Sequence, residues 1–283
     1  MLKKYQKLIN STLALYLADW LSCIVLLIVS GIWELVIYPF ERPFSLTDTS
    51  IQYTFQTNET VPMWLLWVLA IIIPVLIILL FYFKLKKFGI IHWAVIGFLL
   101  SCSLSFAVTH FLKNLIGRLR PDFISRCQPD QVIIQETGKL YTLYTGSVCS
   151  QTNISIMKDG RQSFPSGHTS IAFSGLGYLA YFLGHMLGLS HKRRASLFQY
   201  YAILIPLCVA TFIGISRIRD YRHHWQDVLV GGIIGMLSAY FSYKKYFKKR
   251  LLIDAAPNQL NYSSNSDNSR EVFTNSNSNA NIV

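Results

Sequence analysis

Charge is scarce in this chain. Only 14% of its 283 residues are Asp, Glu, Lys or Arg, about half the usual share, which excludes the densely charged surface of an ordinary soluble protein. Acidic residues are scarcer still, 14 against 26 basic ones. Cysteine is sparse too. The five present form no CxxC pair and no metal-ligand spacing, which argues against a thiolate metal site. No internal repeat is evident, so nothing suggests a solenoid.

Hydrophobic residues make up 52% of the chain, gathered into six runs long enough to cross a bilayer: 13–38, 62–83, 89–112, 168–189, 198–216 and 225–243. The first follows Lys3, Lys4 and Lys7, as in a signal peptide, but it continues to Tyr38. That exceeds the roughly 7–15 residues of a signal-peptide core, so it reads as a retained span. Pro62 and Pro74 fall in the second run, where neighbouring helices can satisfy the carbonyls that a proline frees. Gly231 and Gly235 in the sixth have the spacing of close helix contact. The net charge of +12 would suggest nucleic acid in a soluble protein. Here the basic residues border apolar runs, so the expected partner is the membrane bilayer, with no nucleic acid.

Loop charge sets an orientation. The N-terminal lysines, Lys84, Lys86 and Lys87, Lys192 to Arg194, and the five basic residues from Lys244 to Arg250 place 14 on one side. That side is expected to be cytosolic, with both termini. The opposite face still carries 11 basic residues, from Arg42 to Arg222, an excess that a phosphate site would explain. Cys127 and Cys149 share an outer loop and could form a disulfide in an oxidising compartment or remain free thiols. Cys23, Cys102 and Cys208 read as packing residues. Asn153 is a better glycan acceptor than Asn58, which lies close to the bilayer. Residues 1–253 are expected to form one domain with its core at 105–243, and the Asn/Ser-rich stretch 254–283 a disordered cytosolic tail.

Alternating spans bring four polar ends to one face. Lys113 to Pro121 leaves the third run, Pro165 to His168 enters the fourth, Ser216-Arg217 leaves the fifth, and His223 to Asp227 enters the sixth. Lys113, Arg120 and Arg217 suit a multiply charged anion. Ser166 is an N-cap candidate whose helix start, with Gly167, offers free backbone amides to that anion. Fixed positive charge with few carboxylates disfavours a bound metal, and no cofactor is expected. His223 and Asp227 are four apart, so on one helix face the carboxylate would orient the ring and leave its other nitrogen to attack. His224, three residues before Asp227, competes for that role. His168 would protonate the leaving oxygen as a general acid. Arg118, Arg219 and Arg222 read as headgroup contacts, and Asp19, Glu34, His92 and His110 as packing or interfacial groups.

Lys113 with Arg120-Pro121, then Pro165-Ser166-Gly167-His168, then Ser216-Arg217 with His223 and Asp227 together resemble the three-part signature of the type 2 phosphatidic acid phosphatase superfamily. Gly117 to Phe123, Arg126 to Pro129 and Asp220 to His224 are similar to its fungal diacylglycerol pyrophosphate phosphatases. The resemblance implies an all-α, polytopic membrane protein with six transmembrane helices, its phosphatase core formed by the last four spans and their outer-face loops. It implies His223 as nucleophile, Asp227 as its orienter and His168 as acid. Lys113, Arg120 and Arg217 would bind phosphate, assisted by Ser166, Gly167 and Ser216. It also implies magnesium-independent hydrolysis of diacylglycerol pyrophosphate, phosphatidate or lysophosphatidate in a vacuolar or Golgi membrane, with the site facing the lumen or the outside. Other readings are a phosphatase for polyprenyl pyrophosphate, sphingoid base phosphate or sugar phosphate, or a lipid or anion transporter. Transport is disfavoured because the ionisable groups collect at span ends rather than near the midplane.

Overall fold

Long apolar runs favour helices, which satisfy every backbone group within the segment. The chain folds accordingly. A computed structural model describes residues 2–86, 88–132, 142–188 and 196–248, and these are mostly helical. The expected tail, 254–283, and the basic residues Lys192 to Arg194 lie outside the described residues.

Helix α1 (Leu2–Val36) runs beside α4 (Phe88–Ile116). Between them in sequence, α2 (Met63–Trp67) passes through a π-helical turn (Val68–Ile72) into α3 (Ile73–Leu85). Pro74 explains the turn. It has no N–H for the carbonyl of Ala70, so the ladder widens before it. That carbonyl faces Gly175 of α7 (Gly167–Met186), where a Cβ would lie 2.0 Å from the oxygen.

Helix α7 is central and packs against α4, α8 (Leu197–Arg219) and α9 (Trp225–Ser242). Tyr178 and Phe182 on α7 join Phe98, Ala94 and Ala239 in the main apolar core. The α7–α9 contact is close because Gly231 and Gly235 face the α7 backbone, where a Cβ would lie 2.6 Å from Ser166 O and 2.4 Å from Ser170 O respectively. Small residues permit such approach, as their spacing predicts.

Among the described residues, four helices are long and apolar enough to cross a membrane: Leu17–Val36, Met63–Phe83, Gly89–Ile116 and Leu197–Arg219. The expected fourth and sixth spans fold as α7 and α9 but are less apolar. The reason is their position. Helix α7 is enclosed by neighbouring helices, whereas α9 keeps an exposed apolar face of Leu229, Ile233, Leu237 and Phe241 and turns its small residues inwards; buried Ser170, Ser174 and Ser238 with the glycines lower the apolarity of both.

A small polar-loop layer covers one end of the bundle. It contains α5 (Phe123–Cys127), α6 (Ile154–Gly160) and a two-residue antiparallel pair, β1 (Phe44–Ser45) with β2 (Leu143–Tyr144), in register Phe44 opposite Tyr144. Phe44, Ile51, Phe123, Tyr144 and Met157 form its own apolar core, closed by a Cys127–Cys149 disulfide. Of the two alternatives open for these cysteines, the structure has the bonded one. Asn153 is exposed and caps α6 by accepting from the N–H groups of Ser155 and Ile156.

The disulfide closes a loop spanning 22 residues. Cys127→Ser with Cys149→Ser is expected to lower stability by about 3 kcal/mol through the released loop entropy, read as a lower unfolding midpoint in detergent. A midpoint unmoved by the double substitution would show that the layer holds without the bond.

Candidate active site

The four polar ends meet at one cavity of about 240 Å³. Lys113, Arg120, Gly167, His168, Arg217 and His223 all line it, as do Glu59, Asp159 and Arg222; Met63, Trp67, Phe106 and Ile171 form its apolar flank. Lys113 lies in the last turn of α4, and a Cβ on Gly167 would lie 3.5 Å from its ammonium nitrogen. The ammonium therefore sits beside the first turn of α7.

Chain termination of α8 delivers His223. Tyr221 takes a left-handed conformation, φ 54°, so that the N–H groups of Arg222 and His223 both turn back to the carbonyl of Arg217. Tyr221 also stacks on Tyr53 at 4.4 Å, which ties the loop before α2 to this turn. His223 is 3% exposed. Its Nδ1 lies 2.6 Å from the Ser163 carbonyl, and because a carbonyl only accepts, Nδ1 carries the proton and Nε2 keeps a lone pair. Burial is the first cause that holds His223 well below the ordinary histidine value, and the charges of Arg120 and Lys113 add to it. The ring is therefore neutral at physiological pH.

Asp227 does not orient His223 in the way the four-residue spacing predicts. Helix α9 begins only at Trp225 and His223 precedes it, so helical i,i+4 geometry does not apply. The Asp227 carboxylate lies 3.9 Å from His223 Nδ1. It accepts instead from Ser163 Oγ at 2.5 Å, Arg118 Nη1 at 2.6 Å and the His224 backbone N–H at 3.0 Å. Asp227 thus reaches His223 through Ser163, whose hydroxyl it holds and whose carbonyl meets the ring. His224 is the N-cap residue of α9, with its ring 3.3 Å from Asp227, and does not line this cavity.

Four further sequence assignments shift. Ser166 occupies the N-cap position of α7, but its hydroxyl makes no cap bond and accepts from Thr169. Ser216 donates to the Ile213 carbonyl and accepts from Arg217 Nε at 3.2 Å, so it steadies the guanidinium. Neither serine lines the cavity. Arg222, read as a headgroup contact, is buried on the cavity wall over the Phe55 ring; Arg118 pairs with Asp227, whereas Arg219 is exposed.

Two carboxylates absent from the sequence prediction enter the site. Glu59 Oε2 accepts from Arg217 Nη1 at 2.9 Å, and Oε1 lies 3.0 Å from Arg222 Nη2. Asp159 accepts from Arg120 at 2.5 Å and Arg126 at 2.8 Å. Burial alone would raise the Asp159 carboxyl, but the charges of Arg120, Arg126 and Lys113 outweigh it and hold the group well below the carboxylate range. Lone acidic residues in the polar segments between spans give no spacing signal. Buried Arg126, bonded through two nitrogens to Asp122, is what steers Asp159 here.

Glu34 and His110, read as packing groups, pair with each other at 3.0 Å, and Gln162 bridges Glu34 to Asn114. They fasten α1 to the loop that carries Ser163.

Residues 94–251 match the PAP2 superfamily. The chain is 36% identical to lipid phosphate phosphatase 2 of Arabidopsis thaliana, across 82% of this chain and 77% of that protein. It is 36% identical to diacylglycerol pyrophosphate phosphatase 1 of Saccharomyces cerevisiae, across 81% of each. A probable diacylglycerol pyrophosphate phosphatase 1 of Schizosaccharomyces pombe is 35% identical, again across 81% of each. The chain belongs to the PAP2 superfamily, and it is a membrane phosphatase.

Proposed function

We propose that this phosphatase removes the terminal phosphate of membrane lipids, converting diacylglycerol pyrophosphate to phosphatidate and phosphatidate to diacylglycerol, and accepts lysophosphatidate. The charge balance of the cavity carries this reading. Lys113, Arg120, Arg217 and Arg222 supply four positive charges, and Glu59 and Asp159 two negative ones. The empty cavity thus keeps a surplus of two positive charges, which attracts a phosphate monoester of roughly −1.5 to −2 charge near pH 7. Arg120 Nε and Arg222 Nε are buried without a hydrogen-bond partner among the described residues. An unsatisfied buried donor costs about 1–3 kcal/mol, which bound phosphate oxygens would offset. Met63 and Trp67 beside the cavity suit the apolar part of a lipid substrate, and relatives named for lipid phosphates support the same class.

In the proposed reaction His223 Nε2 attacks phosphorus and forms an N–P bond. His168, whose Nε2 faces Arg217 Nη1 at 3.4 Å in the empty site, takes up a proton from water as the phosphate dianion binds. The bond to the leaving oxygen breaks with its electron pair, and His168 gives that oxygen the proton. Water then attacks the phosphohistidine, His168 takes its proton and releases it as phosphate departs, and His223 regains its lone pair. The four cations stabilise charge on the transferring group without a metal ion. Asp227 acts as a positioning residue through Ser163. The polypeptide is proposed to cross the membrane six times, α7 and α9 included, with both termini cytosolic and the site on the lumenal or outer face. The Cys127–Cys149 bond in the covering layer supports that orientation, because disulfides persist in oxidising compartments.

Phosphate release from diacylglycerol pyrophosphate, phosphatidate, lysophosphatidate, a polyprenyl pyrophosphate and a soluble sugar phosphate, assayed in detergent with chelator, tests the substrate class. The glycerolipids are expected to react fastest. A preference for the sugar phosphate would overturn the lipid assignment.

A further inference from the structure

Arg217 has no spare donor. A guanidinium offers five N–H groups, and here all five are engaged. Nε donates to Ser216 Oγ at 3.2 Å. Nη2 donates to the Val61 carbonyl at 2.9 Å and Asp220 at 3.0 Å. Nη1 donates to Glu59 at 2.9 Å and towards His168 Nε2 at 3.4 Å. The bonds to Ser216, Val61 and Asp220 fix the guanidinium to buried structure. Only Nη1 remains for a ligand, and Glu59 holds it.

We propose that Glu59 is a resident anion of the phosphate site: its carboxylate occupies the donors of Arg217 and Arg222 that phosphate takes, and the two exchange in every turnover. The inference rests on reading the cavity as a phosphate site, and it assigns a role to a residue outside the matched segment 94–251.

The surroundings confine the exchange to one side chain. Thr60, the next residue, is pinned to Asp220 through its N–H at 2.8 Å and its hydroxyl at 2.6 Å. Gln56 gives its carbonyl to Arg222 at 2.9 Å, and Tyr53 is stacked on Tyr221. The loop backbone is thus anchored on both sides of Glu59, whose side chain remains 25% exposed and free to rotate outwards. A carboxylate that returns to the guanidiniums competes with inorganic phosphate, so it lowers product affinity and speeds release. It also keeps the arginines parallel and paired while the site is empty. A permanently empty cluster of four cations would bind product phosphate more tightly.

The test is the affinity of inorganic phosphate for the full chain in detergent, measured calorimetrically and as product inhibition, for wild type and Glu59→Gln. The amide keeps a hydrogen-bond acceptor for the arginines but loses the competing charge. If Glu59 occupies the guanidiniums about nine-tenths of the time, Glu59→Gln should bind phosphate about tenfold more tightly, with product inhibition strengthened by the same factor. A merely structural Glu59 predicts the opposite sign, because a misplaced Arg217 binds phosphate less well. Unchanged or weaker binding in the variant would overturn the inference. Should the variant misfold, the wild type alone suffices: phosphate addition should shift a carboxylate band in its infrared difference spectrum towards that of a solvated carboxylate, and no shift contradicts the exchange. If neither protein binds phosphate at all, the phosphate-site reading itself fails.

Discussion

Alanine at position 223 should reduce phosphate release at least about 10⁴-fold, as expected when a group that forms the covalent intermediate is lost. The fold should survive. His223 packs through a single ring bond to the Ser163 carbonyl, and the turn that carries it is made by backbone N–H groups of residues 222 and 223 bonded to Arg217 O. His224→Ala provides the comparison. That ring caps α9 and touches Asp227 from outside the cavity, so its loss should cost no more than about tenfold, the scale of a removed cap and one hydrogen bond. Equal losses from the two histidines would contradict the assignment.

The same residue predicts a pH dependence. Burial and the neighbouring cations keep the folded-state pKa of His223 well below 6.5. The free enzyme therefore retains its neutral, attacking form as pH falls through 6.5, and protonation of His223 limits kcat/KM only at lower pH. An acid limb near pH 6 should follow the substrate instead, since a phosphate monoester takes up its second proton near pH 6, and it should move with substrates of different phosphate pKa. Stability follows the same sign. An unfolded His223 gains a proton below about 6.5 while the folded one does not, so stability falls as pH drops from there towards the folded-state pKa.

Arg217→Lys is expected to be nearly as damaging, lowering kcat/KM by about 10²–10³ and reducing stability. Lysine has three donors on one nitrogen and no planar fork, so it cannot serve Ser216, Val61, Asp220 and the cavity together. The Asp220 carboxylate, nearly buried, keeps only its bonds to Thr60. Removing one partner of a buried pair typically costs about 3–5 kcal/mol, and the retained ammonium charge should leave the loss at the lower end. Arg219→Lys, two residues on and exposed, should change neither activity nor unfolding midpoint. A near-normal Arg217→Lys enzyme would show that positive charge alone suffices and that the fork is dispensable.

Span parity makes the meeting of the site legible in the sequence, because Lys113, His168, Arg217 and His223 all sit where a polar motif joins an apolar run. Their convergence needs only alternating helices. What lies between those helices was not legible. Glu59 is a single acidic residue in a loop and Asp159 one in the short helix α6, placed by Thr60–Asp220 and by Arg126, contacts with no sequence period. The His223–Asp227 spacing is misleading for a local reason: α9 starts two residues after His223, and a backbone carbonyl takes the ring proton. Run length likewise overstates apolarity for α7 and α9, whose serines and glycines answer to protein neighbours.

The most direct test follows the phosphoryl group itself. Wild-type enzyme in chelator is mixed with diacylglycerol pyrophosphate labelled in its terminal phosphate, quenched with alkali within one turnover, and digested for mass spectrometry. The expected result is label on His223 and on no other residue, with hydrolysis undiminished by chelator and absent in His223→Ala. Hydrolysis that persists in His223→Ala, or label carried by a different side chain, would contradict phosphoryl transfer through this histidine.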